Sequence, residues 1–268
     1  MTIVNRVCVG LATVTLALVM PSKADVMNEL APTGKLRVAI AVGPAPSALY
    51  AIKDDATGQY RGVTVELGSA MAKKLGIPVE FLPHLASGEI QNSAASGKWD
   101  VTFMPVDEDR KKIVDFGNAY HLLQSTYLVA PGAKLANVEE ANASGVRIGG
   151  VADTATFRAA QRTAPKATFV ALPGVDAAVA AMKAGEVDCI ALSRESLSSL
   201  VTKIPGSRIL DGGFLNSSTA VAVPKGKPEA LVYVSQFVEE AKSSGLVRRA
   251  FDAMNLQSAQ VAPPGMKP

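Results

Sequence analysis

The sequence predicts an α/β protein of two lobes joined by two strands. Three observations carry this expectation: two separate runs of alternating strand-like and helix-like segments, a glycine-to-aspartate motif present once in each run, and two β-rich crossings far apart in the chain. Gly97-Lys-Trp-Asp100-Val is echoed by Gly185-Glu-Val-Asp188-Cys, each with a helical pattern before it and a strand through it. Alternating β and α segments imply parallel sheets. Two such lobes with two connections make a hinge, with the ligand site between them.

The ends bound the rest. Residues 1–24 read as a secretory signal peptide: Arg6 supplies the positive region, Val7 to Met20 the apolar stretch, and Ser22-Lys-Ala24 a small-x-small cleavage site. The apolar run, about 14 residues, is short for a membrane span. Cys8 stands at its start, not before the cleavage site, which argues against a lipid-anchored cysteine. The mature chain is expected to be soluble, exported and monomeric, with about 244 residues of the 268. Losing Cys8 leaves Cys189 alone, so stability must come from the core and not from an internal disulfide. Removing Arg6 and Lys23 brings the formal charge from +3 to about +1, which is no footprint for nucleic acid or an anionic membrane. Two histidines and one mature cysteine argue against a dedicated metal site, and no cofactor is implied. His84 and His121 read as ordinary loop or edge residues, Cys189 as a small buried strand residue, and Trp99 as packing.

The first lobe is expected over 25–127, the second over 128–220, a return to the first over 221–257, and a flexible tail over 258–268. Leu36 to Val42 is the first buried strand, running into the rigid loop Gly43-Pro-Ala-Pro-Ser47. A helix follows Gly62, with Leu67, Ala70, Met71 and Leu75 at helical spacing, and Gly76 with Pro78 stops it. Val79 to Leu82 is a strand, 88–96 a small-residue helix ended by Gly97, and Val101 to Met104 the next strand. The crossings are Thr126 to Ala130 and Thr219 to Val223. Between them lie strands at Arg147 to Val151, Thr168 to Leu172 and Val187 to Leu192, and helices at 154–162 and 176–184. Helices over 228–243 and 246–255 close the chain.

After Met104 the chain runs through Pro105 and three acids to Arg110. A cation presented at the C-terminal edge of an open α/β sheet stands where ligands sit. Its planar fork suits a carboxylate or phosphate; a surface pair with Glu108 or Asp109 is the alternative.

In order and spacing, Leu36-Arg-Val-Ala-Ile, Gly62-Val-Thr-Val-Glu-Leu, Lys74-Leu-Gly-Ile-Pro-Val-Glu-Phe81, Gly97-Lys-Trp-Asp100 and Asp109-Arg-Lys-Lys-Ile-Val-Asp-Phe116 resemble the extracellular solute-binding proteins of family 3. The resemblance covers 33–257. It implies a type II periplasmic binding protein-like fold, a periplasmic location, no enzymatic activity, and a small carboxylate-bearing solute delivered to an inner-membrane ABC permease. It also implies that Arg110 grips the carboxylate. Several positions depart from the family pattern. Pro105 replaces a hydroxyl residue. Asp107 is expected as a helix N-cap, with a ligand-facing acid as the alternative. Asp153 either caps its helix or faces a cationic group, and Thr154 is a ligand-hydroxyl candidate. Ser193 stands where the family places an ammonium-binding aspartate, so either Glu195 or Asp153 supplies that charge, or the ligand lacks a free ammonium. Ser47, with Tyr50 nearby, occupies the place of an aromatic wall. Two other readings stay open: a dehydratase-type enzyme on the same scaffold, with Glu195, Asp107 or Asp153 as its acid-base group, and a protein presenting its ligand to a membrane sensor or other periplasmic partner.

Overall fold

The computed structural model describes residues 22–42 and 49–268. The apolar part of the expected signal and the loop with Ser47 lie outside the described residues. Ser22 caps the first helix, α1 (Lys23–Leu30), accepting from the Asp25 amide.

The first unit is the one that periodicity predicts. β1 (Leu36–Ala41) is followed by a small antiparallel ribbon, β2 (Ile52–Lys53) with β3 (Tyr60–Arg61). The helix α2 (Val63–Leu75) buries Leu67, Met71 and Leu75 and stops at Gly76, whose φ of 76° is left-handed. Next come β4 (Val79–His84), α3 (Ser87–Asn92), β5 (Val101–Pro105) and the single turn α4 (Glu108–Lys111). β1 pairs in parallel with both β4 and β5.

A long strand, β6 (Val114–Val129), leads to the second unit: β7 (Arg147–Val151), α5 (Ala155–Thr163), β8 (Thr168–Leu172), α6 (Val175–Lys183), β9 (Cys189–Ser193) and α7 (Arg194–Leu200). β7 is parallel to both β8 and β9. The chain returns through β10 (Arg208–Ile209) and β11 (Leu215–Pro224), and ends with α8 (Pro228–Ser243), α9 (Leu246–Ala253) and β12 (Gln260–Val261).

Among the described residues one sheet runs β4-β1-β5-β11-β6-β9-β7-β8, with β10 and β12 added on β6. Two parallel triads are thus sewn together by antiparallel β11 and β6. The crossings are longer than the sequence suggests. β6 pairs with β11 from Ser125 down to Val114, with register shifts near Thr219 and Ala220. Gly117, Asn118 and His121 interrupt the apolar pattern there and hide the strand. Gly117 is required by packing: a Cβ there would stand 2.7 Å from the Val221 side chain and 2.8 Å from the Ser235 hydroxyl.

The repeated motif has a repeated job. Asp100 accepts from the Arg37 amide and both arms of its guanidinium, while the Asp100 amide donates back to the Arg37 carbonyl. Asp188 repeats every one of these bonds with Arg147. Each aspartate therefore pins the start of its strand to the neighbouring one.

The expected flexible tail is instead packed. Ala259 and Ala262 are buried, β12 pairs with β6 at His121 and Leu122, and the Ala119 amide donates to the Met266 carbonyl. The open edge of the β6 segment attracts the tail because its unpaired backbone groups need partners. Trp99 and Cys189 are buried as expected, the indole donating to Ser93. His121 is fully buried in the middle of β6, not in a loop or at an edge, because the crossing strand extends far upstream of Thr126.

Candidate functional site

The site forms where β5 ends against the turn after β7. Asp107 caps α4, accepting from the amides of Asp109 and Arg110, which answers the choice at this position in favour of capping. It is also bridged by Arg158 of α5, at 2.5 and 3.1 Å, so its carboxylate joins the two halves of the molecule. Burial pushes the Asp107 pKa up, but the Arg158 bond, the Arg110 amide and the two guanidinium charges outweigh it and hold it low.

Arg110 is fully buried. Its guanidinium donates to Gln91 Oε1 (3.1 Å), the Pro105 carbonyl (2.9 Å), Ser87 Oγ (2.8 Å) and, from the second half, the Asp153 carbonyl (3.5 Å). All four acceptors are neutral. The surface pairing with Glu108 or Asp109 is absent: those acids bond Lys111 and Lys112. Burial, then the nearby Arg158 charge, lowers the Arg110 pKa to about 10, which leaves it cationic at neutral pH. A buried cation whose first neighbours are only neutral dipoles is electrostatically incomplete.

Beside it lies a cavity of about 90 Å³ between the two halves. Tyr50, Ser87 and Pro105 line it from one side, Thr154, Thr156 and Ser193 from the other, and among the described residues no charged side chain lines it. Gly88 lets the halves meet: a Cβ there would fall 2.7 Å from the Asp153 Cβ and 3.0 Å from its carbonyl oxygen.

The sequence candidates separate on this frame. Thr154, not Asp153, caps α5, accepting from the Phe157 amide and donating to the Val151 carbonyl. Asp153 cannot cap because it sits one residue early, in the left-handed region at φ 56°, with its side chain exposed beside Asn92. Ser193 faces the cavity and caps α7, bonded to the Ser196 amide and hydroxyl. Tyr50 lines the cavity with its hydroxyl bonded to Thr219; burial pushes its pKa up, against the opposing pull of Arg110.

Glu195 stands apart from the cavity lining. It lies 3.3 Å from His121 Nε2, and its Oε2 and the His121 Nε2 make no hydrogen bond of good geometry. Taking one of two buried polar neighbours leaves the other facing apolar surroundings, whereas replacing both by apolar groups costs little. His121→Ala, which leaves the buried Glu195 without its neighbour, is expected to lower unfolding stability by about 1–3 kcal/mol, whereas the double leucine variant stays near the parent. Urea unfolding of the three proteins checks this; additive losses would contradict it.

Sequence reading missed Ser87, Gln91 and Arg158. The first two lie on a short helix without a cap motif, and Arg158 is an unremarkable helix position until α5 is docked opposite Asp107.

The fold is that of type II periplasmic amino-acid-binding proteins. An ancestral amino-acid-binding protein, AncCDT-1, described as a precursor of cyclohexadienyl dehydratase, is 26% identical and superposes with a TM-score of 0.74 over 85% of this chain and 98% of its own. An ancestral arginine-binding protein bound to glutamine is 27% identical, with a TM-score of 0.73 over 83% and 98%. The profile of the bacterial extracellular solute-binding proteins, family 3, matches residues 36–253, and the chain belongs to that family. Among curated relatives, the ABC transporter glutamine-binding protein GlnH of Bacillus subtilis (strain 168) is 21% identical over 235 residues, covering 84% of this chain and 82% of its own. Among the described residues no helix is long and apolar enough to cross a membrane.

Proposed function

We propose that this family 3 protein captures a small carboxylate-bearing solute in the cleft and hands it to an ABC permease. The supporting observation is the Arg110 guanidinium: a fork cationic at neutral pH, wholly buried at the seam, with four neutral acceptors and no carboxylate bonded to it. An anion at the cavity wall supplies the missing charge. The two lobes, 25–127 with 221–257 and 128–220, close over the solute, and its greater affinity for the closed form drives closure. The cavity is small beside the 300–1,000 Å³ typical of ligand pockets. With no charged side chain in its described lining, it suits a ligand smaller than arginine and without a second cation.

Catalysis has less support. Among the described lining residues the titratable side chain is the Tyr50 phenol, whose pKa burial raises, and no carboxylate is offered for acid-base work. Export is read as cleavage after Ala24, which would remove Ser22, the cap of α1.

A thermal-shift panel of amino acids, their N-acetyl forms, short monocarboxylates and dicarboxylates tests the reading, since binding to the folded state alone raises the melting temperature. A shift with one or more acids is expected; silence across all acids overturns it. Closure adds a second expectation. Arg158→Ala removes the bridge to Asp107, so affinity for an acid found in that panel should fall about tenfold. Unchanged affinity in calorimetry would mean the bridge plays no part in closure.

A further inference from the structure

Ser87 is placed differently from the two cap hydroxyls at the cavity, those of Thr154 and Ser193. Its Oγ lines the cavity and accepts from Arg110 at 2.8 Å. Among the described residues its own hydroxyl proton has no acceptor. Thr154 donates to the Val151 carbonyl and Ser193 donates to Ser196, so both of those protons are committed. Arg110 itself is fully buried and is not part of the lining. Pro105, five residues before the arginine, has neither an amide hydrogen nor a hydroxyl to offer, and its carbonyl already serves the guanidinium.

We propose that Ser87 is the specificity-determining hydroxyl of the cleft, carrying the positive charge of Arg110 to one carboxylate oxygen of the solute. The inference rests on the reading of the site as a carboxylate site and names the group that makes the contact. A hydroxyl that accepts from a guanidinium is polarised and becomes a stronger donor. Its free proton then makes a charge-assisted bond with the anion, shorter and stronger than one between neutral groups. Arg110 acts at one remove, and the donor comes from α3, since Pro105 offers none. A neutral amide in place of the acid presents a weaker acceptor to the same proton, so the contact selects acids over their amides.

The test uses acetate, propionate, L-lactate, glycine and L-alanine as probes, with acetamide, propionamide, lactamide, glycinamide and alaninamide as their neutral counterparts. Titration calorimetry is run on the wild type, Ser87→Ala and Ser87→Thr, with melting temperatures of the ligand-free proteins. The acid that binds the wild type best should lose about 10- to 100-fold in affinity in Ser87→Ala, as expected for a bond to a charged group. Ser87→Thr should restore it to within about threefold, since the hydroxyl returns. Ligand-free melting temperatures should agree across the three, because the lost acceptor faces a cavity that admits water. Equal acid affinity in Ser87→Ala overturns the role of Ser87 while leaving the carboxylate reading intact. So does a fall in affinity matched by a fall in ligand-free stability, which would make Ser87 only a support for Arg110. Failure of every acid to bind the wild type overturns the carboxylate reading, and this inference with it.

Discussion

Arg110→Met is expected to abolish carboxylate binding, with a loss of at least about 100-fold, while the protein stays folded. The two effects have separate causes. Binding fails because the cleft loses the cation behind Ser87, and the described lining holds no charge to replace it. Folding survives because the change removes a buried cation that no acid pairs, a group whose burial costs several kcal/mol. Against that relief stand the orphaned acceptors. Ser87 and Pro105 line the cavity and Asp153 is exposed, so water can reach these three acceptors, whereas Gln91 is buried and keeps an unmet oxygen. One such group costs about 1–3 kcal/mol, so the net change in stability should be small beside the total of about 5–15 kcal/mol. Calorimetry for binding and urea unfolding for stability separate the two. Retained acid binding would show that Arg110 is architecture, and a collapsed fold would show that its four hydrogen bonds outweigh its desolvation.

Asp100→Ala carries the largest expected loss of stability, about 3–5 kcal/mol. Asp100 is wholly buried and takes three hydrogen bonds from Arg37, whose side chain is 16% exposed. The variant leaves a backbone amide and a mostly buried guanidinium without an acceptor. Asp188→Ala removes the same bonds from Arg147, but there the partners are 26% and 42% exposed and water replaces much of what is lost. Its cost should be about 1–2 kcal/mol. The comparison of the two variants is the measurement: equal losses would mean that burial does not set the cost. Asp100 also fixes β5, the strand that delivers Pro105 and Arg110 to the cleft, so its variant should bind acids poorly even where it folds.

Much of the fold was legible because its signals are local. Strand runs, glycine stops at Gly76, Gly97 and Gly185, and the repeated Gly-to-Asp motif each fix their own neighbourhood. The arginine partners of that motif were not legible, since Arg37 and Arg147 lie 63 and 41 residues from their aspartates and only strand pairing brings them together. The long β6 was hidden by Gly117 and Asn118, whose small size and polarity answer to α8 and the tail and not to strand propensity. At the site, Arg110 and the cap at Asp107 could be read from chain order and cap chemistry. The exchange between Asp153 and Thr154 could not, because both residue types cap helices and a left-handed backbone at Asp153 decides between them. Ser87 carried no signal at all: its importance comes from the arginine that folding places 2.8 Å away.

The central claim is that the cleft selects a carboxylate. It is tested most directly by titrating the wild-type protein with each short acid and its primary amide, a pair alike in size and differing in the charge that Arg110 recognises. At least one acid should bind with its amide at least about tenfold weaker, the step expected when a charge-assisted bond becomes a neutral one. Amides binding as tightly as their acids would contradict the account and leave Arg110 as a buried strut between two halves of the molecule.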